Sequence, residues 1–185
     1  MEKTDAELAA LCLSGDESAF PVIVSRHLKP VYNFVFKLLG SPDETDDVTQ
    51  EVFFKAWKNL KKYQPDKKFR TWLFSIAKNA SIDYLRKKRS VPLSEFDDKT
   101  GGNMILESLI DPLPTQTEML ETLENLQALE TAISGLSVNE RAVLFLKYNE
   151  ELTFEEIGQI LEKPMDTVKS QHLRGLKHLR EILRE

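Results

Sequence analysis

Apolar residues recur at helical spacing through most of the chain, and that pattern divides it into elements. Leu8, Leu11 and Cys12 form a short stripe that predicts an N-terminal amphipathic helix, broken at Gly15-Asp16. A second periodic segment begins at Phe20. It continues through Ile23, Val24, His27 and Leu28, then past Pro30 with Val31, Phe34, Val35 and Leu38. Pro30 is expected to kink this helix or divide it. Gly40-Ser41-Pro42 ends it, and Ser41 or Asp43 is available to cap the next. There Val48, Val52, Phe53, Ala56, Trp57 and Leu60 make one apolar face. After a polar loop from Tyr63 to Lys68, the residues Phe69, Trp72, Leu73, Ile76, Ala77, Ala80, Ile82 and Leu85 are again helically spaced.

Ser90 to Met119 interrupts the pattern. Pro92, Pro112, Pro114 and Gly101-Gly102, with six acids against one base, predict a linker with little structure. Helical spacing resumes from Met119 to Ser134 with Leu120, Leu123, Leu126, Leu129, Ala132 and Ile133, then breaks at Gly135-Leu136-Ser137. A helix from Asn139 carries Ala142, Val143, Phe145, Leu146 and Tyr148. The last stretch, Thr153 to Arg184, reads as two helices around a tight break. Thr153 and Glu156 have capping-box spacing, and Phe154, Ile157 and Leu161 form the first apolar face. Pro164 ends that helix. In the second, Val168, His172, Leu176, Leu179 and Leu183 are expected inside, with Lys169, Ser170, Gln171, Arg174 and Lys177 outside. Gly158 would let the two helices approach closely at the turn, since a mid-helix glycine otherwise costs about 1 kcal/mol. This layout is that of a helix-turn-helix, whose second helix can enter a DNA major groove, or of an ordinary helical hairpin. The expected fold is all-α: two small helical domains, residues 1–89 and 120–185, joined by a flexible acidic linker over 90–119.

Composition narrows the class. Of 185 residues, 41% are hydrophobic and 30% charged, which suits a soluble globular protein. No apolar run approaches a membrane span, and the first residues resemble no signal peptide. Cys12 is the single cysteine, so no internal disulfide can form and a reducing cytoplasm is the expected location. The net charge of −5 argues against nucleic acid until it is mapped. Lys55 to Arg89 carries +10 and Lys163 to Arg184 carries +4, leaving −19 on the remainder. Two cationic regions on an acidic body suggest two contacts with a polyanion.

Asp43, Glu44, Asp46, Asp47, Gln50 and Glu51 make the start of the third helix acidic on its polar face. Acids there suit the helix dipole. They could also bind a metal or dock a basic partner, but one helix face with no nearby His is a poor metal site. Between Tyr63 and Arg89, aromatics alternate with cations, as a single-strand site requires. Trp57, Phe69 and Trp72 lie on apolar faces and are expected in the core. Tyr63, at the loop edge, is the better candidate for stacking on a base.

The run from Asp46 to Arg89 (DDVTQEVFFKAWKNL, then FRTWLFSIAKNASIDYLRKKR) resembles the second region of bacterial sigma factors, and most closely the small extracytoplasmic-function (ECF) group. Thr153 to Arg180 resembles the promoter-reading end of their fourth region. The likeness covers roughly Gly15 to Arg89 and Glu124 to Glu185. It implies a dissociable, non-catalytic specificity subunit of RNA polymerase with no cofactor or small-molecule substrate. Its partners would be core polymerase, through the largest-subunit clamp helices and the second-subunit flap, promoter DNA, and an anti-sigma factor that is often membrane-bound.

Residue by residue, the resemblance assigns Asp46, Asp47, Gln50 and Glu51 to clamp docking. It assigns Tyr63, Gln64, Lys67 and Lys68, with Asn79, to a pocket for a base flipped from the −10 element, and Arg86, Lys87 and Arg89 to its phosphates. Arg141, Thr167, Lys169, Ser170, Gln171, Leu173, Arg174 and Lys177 fall to −35 binding, with Gln171 placed to pair with adenine, Arg174 with guanine, and Arg141 to contact phosphate. Ser170-Gln171-His172-Leu173 departs from the family's common Ser-Arg, apolar, His-or-Phe pattern, which changes the expected promoter sequence. Two readings from other classes remain. A free-standing helix-turn-helix regulator would need a dimer interface, and no heptad run supplies one. A metal-dependent nuclease would use the acidic cluster, but lacks a phosphate loop or a His-carboxylate set.

Overall fold

The computed structural model describes residues 3–89, 129 and 132–182, and all its regular elements are helical. They are α1 (Asp5–Leu13), α2 (Ala19–Leu39), α3 (Pro42–Asn59), a 3-10 turn (Leu60–Lys62), α4 (Phe69–Arg89), α5 (Val138–Tyr148), α6 (Phe154–Leu161) and α7 (Met165–Ile182). The predicted linker, most of the Met119–Ser134 helix and Leu183 lie outside the described residues.

Local chemistry sets most boundaries. Thr4, Ser137 and Thr153 each cap a helix through a full capping box, closed by Glu7, Glu140 and Glu156. Gly40 ends α2 in the left-handed conformation at φ 75°, its N–H donating to the Phe36 carbonyl at 2.8 Å. Ser41 takes the cap position of α3 but its side chain makes no cap bond; Pro42 opens the helix instead. Pro30 neither ends nor divides α2, contrary to one of the two expectations from sequence. Ile23 and His27 before it, and Val31, Phe34 and Val35 after it, are all buried. That burial outweighs the roughly 3 kcal/mol that proline costs inside a helix.

In the N-terminal half, α2 packs against α1, α3 and α4, and α3 lies against α4. In the C-terminal half, α7 lies across α5 and α6. The halves are also packed on each other, α2 against α5 and α4 against α6, so one apolar core runs through both. Phe34 is the joint. Its ring meets Phe74 edge-on at 5.2 Å within its own half and Phe145 of the other half at 5.6 Å.

Gly158 holds the turn between α6 and α7. A Cβ there would stand 2.8 Å from the Lys163 carbonyl oxygen, a backbone atom with little room to yield. Gly158→Ala should therefore lower stability by about 1–3 kcal/mol despite alanine's better helix propensity. Urea denaturation checks this, and a stabilised variant would contradict the packing argument.

Candidate nucleic-acid and polymerase interfaces

On α3, Thr45, Val48, Thr49 and Val52 turn inward, which leaves Asp46, Asp47 and Gln50 exposed. Glu51 is half-buried beside Lys55 at 2.7 Å. The carboxylates point away from the body, and among the described residues no group of three or more His, Cys, Asp or Glu could hold a metal ion. The same outward face continues into Phe54, which is 65% exposed. Sequence reasoning passed over Phe54, although of two adjacent phenylalanines on a helix only one can face the core. Trp57, expected in the core, stands partly exposed with its ring edge-on to Phe20 at 4.8 Å.

In the loop before α4, Gln64, Lys67 and Lys68 are exposed. Tyr63 is not the stacking platform that sequence suggested. It is 6% exposed, its ring lies 5.0 Å from Phe69 and 5.6 Å from Trp72, and its hydroxyl donates to the Lys67 carbonyl at 2.8 Å. The backbone turns extended at the end of the 3-10 turn and directs the ring inward. Burial there pushes the phenol above its ordinary pKa. Farther along α4, Asn79 is exposed, and Arg86 and Lys87 are exposed near the helix end. The Arg89 side chain lies outside the described residues.

The outward face of α7 carries Lys169, Ser170, Leu173, Arg174 and Lys177, with Leu173 the most exposed large apolar side chain among the described residues at 66%. Thr167 is half-buried at its edge. Two expectations fail here. Gln171 is buried at 6% exposure, with its Oε1 lacking a hydrogen-bond partner, so it presents nothing to a base. The inner face runs through Val168, Gln171 and Gly175, whereas the sequence pattern placed it along Val168, His172 and Leu176. Glycine at 175 explains the rotation: a Cβ there would lie 3.1 Å from Leu144 Cδ1, so α7 presses its bare backbone onto α5. His172 becomes half-buried beside Tyr148 and Phe154, with its Nε2 3.0 Å from the Tyr148 hydroxyl, and burial lowers its pKa. Arg141 is the second failure. It is 3% exposed, within an α5 turn whose residues are almost all buried, and cannot reach a phosphate from there.

Between the halves lies a set of ion pairs with the signs segregated. Arg70 of α4 bonds Glu150, which precedes α6. Lys68 meets Glu156 in the first turn of α6 at 2.6 Å. Lys78 approaches Glu162, the α6 C-cap, at 3.5 Å, and the Asn79 amide donates to the same carboxylate at 3.4 Å. Burial pushes the Glu156 carboxyl upward, but its bonds from Lys68 and Thr153 outweigh that and hold it at about 2. Burial lowers the pKa of Arg70.

The helical bundle thus carries an outward acidic face, and the helix-turn-helix that follows it exposes a basic face on its second helix, the layout of a DNA-binding protein. Two family models match, Sigma-70 region 2 over residues 23–91 and Sigma-70 region 4 over residues 126–179. The chain is 34% identical over 175 residues to the ECF RNA polymerase sigma factor SigW of Bacillus subtilis, covering 92% of each. It is 30% identical over 173 residues to the ECF RNA polymerase sigma-E factor of Escherichia coli K12, covering 93% of this chain and 90% of that one. The chain belongs to the ECF group of sigma-70 factors, proteins that direct promoter-specific transcription. Its fold is similar to that of CnrH, solved with the cytosolic domain of CnrY, at a TM-score of 0.69, 24% identity and 98% coverage of both chains. It is also similar to RpoE of Bartonella quintana, solved with the anti-sigma factor NepR, at a TM-score of 0.66, 24% identity and coverage of 89% and 96%. Among the described residues, no helix is long and apolar enough to cross a membrane.

Proposed function

We propose that the two halves engage a promoter at separate elements while the chain is mounted on core RNA polymerase. Asp46, Asp47, Gln50 and Glu51, extended by Phe54, dock on the clamp helices of the largest subunit, and the C-terminal half meets the flap of the second subunit. Gln64, Lys67, Lys68 and Asn79 receive the −10 non-template strand, and Arg86, Lys87 and Arg89 hold its phosphates. Unstacking a base costs a few kcal/mol, which capture of the extruded base offsets. Lys169, Ser170, Leu173, Arg174 and Lys177, flanked by Thr167, read the −35 element. The chain itself carries out no chemistry. The proposed inhibitor is an anti-sigma factor, as NepR is for RpoE of Bartonella quintana.

The observation that carries this reading is the division of α7. Val168, Gln171 and Gly175 are buried, which turns Lys169, Ser170, Arg174 and Lys177 outward with Leu173 among them, a face of the kind that the second helix of a helix-turn-helix presents to a major groove. Co-purification with core polymerase, followed by run-off transcription, tests it. In the same assay Asp47→Lys should weaken core binding about tenfold, because a reversed charge on a docking face opposes association without disturbing an interior. Its circular dichroism should stay unchanged. Unaltered core affinity would remove the docking assignment.

A further inference from the structure

The ion pairs between the halves are not a random surface mixture. In the three pairs Lys68–Glu156, Arg70–Glu150 and Lys78–Glu162, the cations come from the N-terminal half and the carboxylates from the C-terminal half. Interfaces held only for stability have no need to sort charge by sign. The cations run along one side of α4 and the loop before it, over about 15 Å at the helical rise. The carboxylates run beside them from one end of α6 to the other. Lys68 and Asn79 belong to the proposed strand site, and both are engaged by this row.

We propose that Glu150, Glu156 and Glu162 act as an internal polyanion occupying a strand-binding row of Lys68, Arg70, Lys78 and Asn79, so that closure of the two halves and binding of single-stranded DNA are mutually exclusive. Arg70 and Lys78 thereby join the strand site as phosphate ligands. The inference rests on the reading of the N-terminal half as a single-strand site.

Burial gives the arrangement a direction. At two of the three pairs the acid is the enclosed partner: Glu150 is 6% and Glu156 14% exposed, against 39% for Arg70 and 74% for Lys68. A competing polyanion can therefore reach those cations from outside while the acids stay shut in. Each cation drawn away leaves an enclosed carboxylate without its counter-charge, a state far less favourable than the intact pair. Capture of a strand thus drives α6 off α4. At the third pair the order is reversed, with Lys78 at 15% and Glu162 at 65%, so that pair opens last.

The test compares four full-length proteins: the parent, Glu156→Gln/Glu162→Gln, Arg70→Gln/Lys78→Gln, and Glu17→Gln/Glu181→Gln. Glutamine at 156 retains the capping box. The last protein changes net charge by the same amount as the first variant, at exposed sites away from the row. Anisotropy of a labelled single-stranded oligonucleotide gives affinity, and small-angle scattering gives the radius of gyration. Removing the two acids should raise affinity about fivefold to tenfold, the release expected for two partly exposed ion pairs. It should also expand the free protein. The oligonucleotide should expand the parent, and Arg70→Gln/Lys78→Gln should bind it more weakly than the parent. Equal gains in the Glu17→Gln/Glu181→Gln control, expansion without tighter binding, or a parent that binds DNA while staying compact would each overturn the proposal. Run-off transcription by the parent with core polymerase reports separately on the proposed function. Success there with any of those results sinks the internal polyanion alone, and failure there sinks the promoter reading whatever the acids do.

Discussion

Phe34→Ala should lower the unfolding free energy by about 3–5 kcal/mol, the range for truncating a buried phenylalanine. Phe34 is fully buried, and its ring is shared by the two halves of the molecule. No single neighbour can fill the space, because Phe74 comes from α4 and Phe145 from α5, and each is fixed by its own helix. The loss therefore combines transfer free energy with a cavity that collapses poorly. Urea denaturation of the parent, Phe34→Ala, Phe145→Ala and the double variant measures it. The double variant should lose less than the sum of the singles by about 0.5–1.5 kcal/mol, the coupling of an aromatic pair in contact. Additive losses would mean that the rings do not meet in solution.

The second large effect belongs to Arg174→Ala. Its guanidinium projects from the outward face of α7, where a bidentate bond to a guanine edge is worth about 1–3 kcal/mol. Discrimination between an intact and a substituted −35 element should fall about tenfold to a hundredfold. The helix itself should be untouched, because the buried face consists of Val168, Gln171 and Gly175. Run-off transcription on a template already unpaired across the −10 element separates recognition from melting, and opening there should be unchanged. Equal loss on both templates would place Arg174 in a general phosphate contact instead. Gln171→Ala, by contrast, should act through packing and alter stability more than promoter choice.

Most of the helical elements were legible because their signals are local. The capping box at Thr153 involves residues three apart, and the breaks at Gly40 and Pro164 act on their immediate neighbours; the boxes at Thr4 and Ser137 have the same spacing but went unread. The outward face of α3 was legible too, since acids and an apolar stripe separate cleanly there. Gln171 was misplaced because helical periodicity fixes a stripe only to within a residue, Arg141 because its assignment came from resemblance alone, and Tyr63 because it stands at a loop edge with no periodicity to orient it. For two of them a tertiary neighbour decides the matter: Phe69 for Tyr63, and the missing side chain at Gly175 for Gln171. Phe54 was missed because it sits between two core positions in sequence while facing the opposite way.

By itself, the order of residues along this chain determined its helical class, the places where most helices begin and end, the two cationic regions and its kinship with sigma factors. All of these depend on spacings of a few residues or on motifs read as strings. Only the tertiary structure decided that the halves close on each other, that α7 rotates Gln171 inward, and that the acids of one half sit on the cations of the other. Arg70 and Glu150 are 80 residues apart, and no periodic pattern links positions at that distance. Their meeting depends on how two separately formed surfaces fit in space, and that fit is set by shape and burial across the whole molecule.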